Sequence, residues 1–316
     1  MDQTTDIINR VLPILLLIGL GYWIRRSRFL PESTIADLRK IAANLALPSV
    51  LFISFLHTEL KTKYIAIFVT VFLVCVGLWF YGKALQRRHN VPQTYFPFMM
   101  TGFEYGMLGV TLFGSAYGLD NIGYIAIFDL GHEIFIWFVF LALLLMKRDG
   151  LQQPAEIVGA FFRSPVVIGI LAGILLNLAG AQDWLYDKPV TGGVMAAIEF
   201  LSGLIIPLIL IIVGYGIKLD RQGLREASLV LVARLAVVIP LALIINAILI
   251  RGLLDLEKGF EVALFTLLIL PPPFIVPLYM RGDMPDERRY INNVLTVYTL
   301  VSIAIFAVYF ILNPEL

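Results

Sequence analysis

Ten apolar stretches, each long enough to cross a lipid bilayer, run through this 316-residue chain at about 7–24, 35–57, 64–86, 94–117, 121–146, 162–180, 193–217, 227–250, 259–280 and 290–312. A hydrocarbon core of about 30 Å takes about 20 helical residues to cross. No water is present there to hydrogen-bond the backbone, so only helices or closed barrels satisfy every peptide group. Barrel strands would read as runs of about ten alternating residues, and such runs are absent from the sequence. The pattern therefore predicts an all-α integral membrane protein with ten transmembrane helices. A hydrophobic content of 59% and a mean hydropathy of +0.87 agree, being far from those of a soluble domain. Connections of at most a dozen or so residues leave no room for a soluble domain, so function must reside in or between the helices.

Orientation follows from the basic residues. Of 24 Lys and Arg, 17 fall in the turns after spans 1, 3, 5, 7 and 9, six fall on the other side, and Arg234 lies inside span 8. Cytoplasmic loops of membrane proteins are enriched in Lys and Arg. The expectation is a multi-pass protein of the cell (plasma or inner) membrane with both termini on the extracytoplasmic side. The leader "MDQTTDIINR" carries one base and two acids, and "RRSR" follows the first span where a signal peptide would have small residues, so this span is read as retained. Cys75 has no partner for a disulfide. His57, His89 and His132 are too scattered for a structural metal site, and no metal or cofactor is expected. Lipid and a small-molecule solute are the expected partners; a net charge of +1 says nothing of nucleic acid. Trp23, Trp79, Trp137 and Trp184 fall mostly near span ends, as interface anchors do.

The landmarks repeat every five spans. Pro13 in span 1 answers Pro165 in span 6, and Pro48 in span 2 answers Pro207 in span 7. Spans 4 and 9 are both interrupted, the first by Gly102, Gly106 and Gly109 around Glu104, the second by Pro271, Pro272, Pro273 and Pro277. An odd period turns the second half over, which predicts two inverted five-helix repeats, 1–150 and 151–316. Interrupted helices at matching positions of inverted halves point to a binding site near the midplane. The blander reading is that glycine and proline are common in membrane helices and small residues merely permit close packing. Three consecutive prolines weigh against it, because the carbonyls they free need partners in protein or in a water-filled cavity.

A charge at the centre of a membrane helix costs about 2.5–3.5 kcal/mol on insertion scales, so such residues mark candidate sites. Glu104 is the first. Neutral in a dry pocket and ionised in water, it could carry a proton; it could instead attract a cation, or simply hydrogen-bond a neighbouring carbonyl. In "FDLGHEIF", Asp129, His132 and Glu133 share one helix face and could form a proton relay or clamp a neighbouring helix. They are not the metalloprotease motif, which would need histidine where Ile136 stands. Arg234 could be the countercharge of an anionic solute or of one of these acids. Ser49, beside Pro48, could donate to solute or bond its own helix. Glu199, early in span 7, is a further candidate.

The segments "LPILLLIGLGYWIRRSRFLPESTIADLRKIAANLALPSVLF", "GMLGVTLFGSAYGLDNIGYIAIFDLGHEIF", "LSGLIIPLILIIVGYGI" and "RGDMPDE" stand in an order and spacing similar to those of the auxin efflux carrier family, its bacterial-type members included. The resemblance covers nearly the whole chain. It implies a secondary transporter with spans 1, 2, 6 and 7 as scaffold and spans 3–5 and 8–10 as a mobile transport domain. It also implies substrates that include auxin-like acids and small dicarboxylates, and a homodimer joined through the scaffold. The family's substrate site is the crossing of broken helices 4 and 9 at the midplane, here Gly102, Glu104, Tyr105, Gly106, Pro271, Pro272, Pro273, Phe274 and Ile275, with Ser49 nearby. Glu104 stands where the family usually has asparagine, Thr111 where it has proline, and Phe274 or Ile275 replaces a second asparagine. One acid and one apolar residue thus take the place of an amide pair.

The function expected is proton-coupled secondary transport of a small organic acid by alternating access, with Glu104, Asp129, His132 and Glu133 as proton-handling residues. A cation or neutral-solute transporter with Glu104 as ligand or antiport acid is the alternative. An intramembrane enzyme built on His132 with Asp129 or Glu133 is remote, because no nucleophile or metal set accompanies the trio, and so is a membrane sensor, because no output domain is read; an ATP-driven pump is not suggested, since no phosphate-binding loop occurs.

Overall fold

Helices account for nearly all of the chain, and no strand occurs among the described residues. The computed structural model describes residues 3–149, 154–217, 221–281 and 283–316. The expected boundary of the two halves at 150 and 151, and Lys218 of a basic turn, lie outside them.

Span 1 is α1 (Gln3–Arg26). Span 2 begins as α2 (Glu32–Ile41), widens into a π-helical turn over Ala42–Ala46 and continues as α3 (Leu47–His57). Pro48 accounts for the widening: its ring crowds the carbonyl four residues back, at Asn44, and the wider turn relieves that contact. Span 3 is α4 (Tyr64–Arg88). Span 4 starts as the single turn α5 (Phe96–Met99), leaves helical geometry, and resumes through a π turn, Tyr105–Gly109, as α6 (Val110–Tyr117). Span 5 comprises α7 (Ile122–Phe135), a π turn and α8 (Leu141–Asp149).

The second half opens with α9 (Pro154–Arg163), followed by α10 (Pro165–Leu178), the short α11 (Gln182–Asp187), then α12 (Pro189–Gly203) and α13 (Ile205–Gly216), which together fill span 7. Next come α14 (Arg221–Ile245), extended by a π segment to Leu253, and α15 (Lys258–Ile269). After the proline break stand the turn α16 (Val276–Tyr279) and α17 (Pro285–Leu312). Pro165, Pro189 and Pro285 each occupy a first turn, where a missing N–H costs nothing because it has no intrahelical partner.

Six continuous helical stretches among the described residues are long and apolar enough to cross a membrane: Glu32–His57, Tyr64–Arg88, Leu119–Arg148, Pro189–Gly216, Leu224–Leu253 and Pro285–Leu312. Helix α10 is apolar but shorter, and spans 4 and 9 fall below that length because their breaks divide them. The chain is a multi-pass membrane protein.

The most extensive helix pairings are α1 with α13, α3 with α10, α4 with α7 and α14 with α17. The first brings backbones into contact. A methyl group added at Gly21 would lie 2.1 Å from the Ile211 carbonyl oxygen, and one at Gly214 would lie 2.0 Å from that of Ile18. Between membrane helices, where lipid is as apolar as leucine, such close packing drives association. Large side chains fully buried in the molecule, among them Tyr95, Phe96, Phe103, Tyr105, Phe128 and Tyr298, come from spans 4, 5 and 10, whereas Leu175, Phe200 and Val232 point outward as lipid-facing residues do.

Candidate functional site

Backbone chemistry makes both breaks. Gly102 adopts φ +71°, and a Cβ there would also lie 2.8 Å from the Pro273 ring; glycine alone enters that conformation without steric cost. On the other chain segment, Pro271, Pro272 and Pro273 withdraw three successive donors and end α15. The breaks touch, with the Glu104 N–H donating to the Pro271 carbonyl at 2.8 Å.

The Glu104 side chain gathers the amide ends. Phe274 supplies the first N–H after the proline run and donates it to Glu104 Oε2 at 2.5 Å. The Met107 N–H donates to Oε1 at 3.3 Å. One buried carboxylate therefore joins the beginnings of both resumed segments, where unpaired N–H groups favour negative charge.

Arg234, reaching in from α14 and fully buried, gathers the carbonyl ends. Its Nη1 donates to Met99 O at 3.3 Å; its Nη2 donates to Leu270 O at 3.2 Å and to Gly102 O. The rings of Phe103 and Tyr298 lie 5.0 and 5.2 Å from the guanidinium, within cation–π range. No carboxylate pairs with Arg234 among the described residues; its countercharge is this set of carbonyl dipoles. The crossing thus has a guanidinium at its carbonyl side and a carboxyl group at its amide side.

His132 Nε2 accepts the Phe103 N–H at 2.9 Å, and Nδ1 lies 3.0 Å from Asp129 Oδ1. An Nε2 that accepts leaves the proton on Nδ1, so a neutral ring donates to Asp129. Glu133 turns elsewhere, its Oε2 accepting from Trp137 Nε1 at 2.8 Å. The ligand atoms of Asp129, His132 and Glu133 lie within 4.8 Å of one another, close enough to surround a metal ion. Both ring nitrogens are already engaged, however, and a metal on Nδ1 would compete with the Asp129 bond. Asp129 and His132 support the break, since His132 satisfies an N–H that the interruption leaves without an intrahelical partner.

The other candidate residues divide between the crossing and elsewhere. Tyr105 is buried with its hydroxyl unpaired, Gly106 faces Leu47 of α3, and Phe274 and Ile275 are half-buried beyond the prolines. Ser49 Oγ donates to its own helix at Leu45 O, 2.8 Å away, and Glu199 is exposed.

A cavity of about 420 Å³ reaches the crossing at Met107, Phe274 and Pro277 from the end of the molecule where α2 and α17 begin. Arg25, Arg39, Arg288 and Glu32 are its charged lining residues. A second cavity, about 400 Å³, lies at the other end of the Glu32–His57 helix among Ser54, His57, Asp120 and Glu257. The sequence reading did not single out the polar residues of α17 that line the first cavity. The signal was present: Arg288, Asn292, Thr296 and Thr299 recur at intervals of four, four and three, one face of a helix.

A family profile described as membrane transport protein matches residues 6–310. An uncharacterized transporter of Methanothermobacter thermautotrophicus is 26% identical over 237 residues, which cover 72% of this chain and 74% of the relative. Matched almost from end to end, the chain belongs to the membrane transport protein family, that of the auxin efflux carriers.

Proposed function

We propose that this transporter is a secondary active carrier of a small organic acid, coupled to protons and working by alternating access. The observation that carries the reading is the first cavity, whose charged lining is three arginines against one glutamate and which ends at the crossing of the interrupted helices. Such a funnel draws an anion in and concentrates it at the broken segments. Because it opens on the side of the basic turns, the conformation is read as inward-facing, with both termini outside the cell membrane.

A ten-span architecture of two inverted repeats, 1–150 and 151–316, completes the proposal. In its support, the pairings of spans 1 with 7 and 2 with 6 exchange under a shift of five, as do those of spans 3 with 5 and 8 with 10. Spans 1, 2, 6 and 7 would be the scaffold, and through it two copies would form a homodimer. Glu104 is the proposed proton carrier. Its protonation discharges the carboxylate that links Met107 to Phe274, so proton binding and the tie between the two broken segments are one event.

A cation or neutral solute is the second reading, favoured by the carboxylate of Glu104 at the crossing itself. One measurement separates them. In sealed proteoliposomes screened with carboxylates, cations and neutral solutes, a carboxylate should drive proton movement, and Glu104→Gln should exchange that solute without moving protons. Signals from cations or neutral solutes alone would remove the organic-acid reading, and unaltered coupling in the mutant would remove Glu104 from the proton path.

A further inference from the structure

At the crossing itself, Glu104 already takes two of the amide donors that could receive an anion. Three residues lack an N–H, the next donates to Glu104 Oε2, and Met107 donates to Oε1. Arg234 Nη1 and Nη2 are likewise committed, to three carbonyls, and Nε alone has no partner among the described residues. An anionic group that enters the cavity meets the side-chain donors of its walls before it reaches the crossing.

The cavity walls supply them. Arg25 is bound to the Tyr215 and Ile217 carbonyls, at 3.4 and 2.7 Å, and serves as a strap between α1 and the end of α13. Arg39 and Arg288 are different: neither side chain has a hydrogen-bond or ion-pair partner among the described residues, and the same holds for Asn292, Thr296 and Thr299. Along α17 exposure falls from Arg288 and Asn292 through half-buried Thr296 to buried Thr299, a ladder about 16 Å long at the helical rise. Opposite it, on α2, Arg39 lies two turns beyond Glu32 on the face toward the cavity. Cations and hydroxyls with free donors at this depth are what a carboxylate needs, and guanidinium binds carboxylate through paired N–H groups.

We infer that the anionic group of the solute is held in the cavity by Arg39 and Arg288 together with the Asn292, Thr296 and Thr299 ladder, ahead of the crossing. This rests on the organic-acid reading and deepens it. A solute with a second carboxylate can engage both arginines, so dicarboxylates bind more tightly than monocarboxylates. Arg39 belongs to span 2 and Arg288 to the start of span 10, the two bodies whose relative movement alternating access requires. A solute that bridges them favours whichever state brings them together.

The test is counterflow of radiolabelled malonate and acetate in phosphatidylcholine proteoliposomes, where no anionic head group competes for the arginines. Arg39→Gln and Arg288→Gln should each raise the half-saturating malonate concentration about tenfold or more, as expected for a lost charged hydrogen bond. Arg39→Lys and Arg288→Lys, which keep the charge and lose the paired geometry, should recover part of the loss, which a merely misfolded protein would not do. Thr299→Val should weaken binding by a smaller factor, and Arg251→Gln, which alters a cation paired with Glu261 away from the cavity, is the control. Counterflow in the parent with no response to the arginine substitutions would overturn the inference and leave the transport reading standing. Counterflow of cations or neutral solutes only would overturn both.

Discussion

The Glu104 carboxyl and the Arg234 guanidinium are both buried and do not pair with each other; each bonds to backbone groups. Interrupting a helix creates two ends, one rich in free carbonyls and one in free amides, and two interrupted helices that cross double both sets. A guanidinium has donors enough for carbonyls from two segments, and a carboxylate has an oxygen for each of two amides. Replacing Arg234 with Met should therefore leave three buried carbonyls unsatisfied and lower stability by at least about 3 kcal/mol. Thermal unfolding of the detergent-solubilised protein, followed by tryptophan fluorescence, measures this, with Arg234→Lys expected between the two. An unfolding midpoint equal to the parent's would mean that the carbonyls find other partners. The sequence announced that Arg234 and Glu104 are costly and need partners. It could not name backbone atoms as those partners, because Met99 and Leu270 reach Arg234 only through the register in which two distant segments meet.

At the scale of the element, glycine placement decides which helices touch. Gly19 and Gly21 lie in the same helix two residues apart, yet a methyl group at Gly19 meets nothing within 4 Å whereas one at Gly21 meets the Ile211 backbone. Gly21→Ala should cost about 1–3 kcal/mol in a denaturation series, as overpacking does, while Gly19→Ala should be nearly silent. Equal effects would show that α1 and α13 can separate without penalty. The interruptions of spans 4 and 9 were legible because Gly102 to Gly109 and Pro271 to Pro277 are strong local signals. The polar ladder of α17 was not, since four polar residues spread over three turns of an apolar helix look unremarkable until the opposite wall, with Arg39, is in place.

For the whole molecule, the consequential feature is that the two cavities occupy opposite ends of one helix and only the first touches the crossing residues Met107 and Phe274. A cysteine placed at exposed Asn292 should react with a membrane-impermeant maleimide in inside-out vesicles and not in right-side-out ones. The parent gives no background, because its single cysteine, Cys75, is buried. Labelling from the outer face would reverse the assigned orientation.

Because Arg234 and Glu104 are fastened to the same pair of broken helices, they travel together when those helices move. While both are ionised their charges cancel, and the membrane voltage exerts no net force on the pair. Protonating Glu104 leaves one uncompensated positive charge, worth about 2.3 kcal/mol for each 100 mV of potential it crosses. Loading the solute-free carrier with a proton would then convert an electrically silent displacement into one that the cell's own voltage drives or resists.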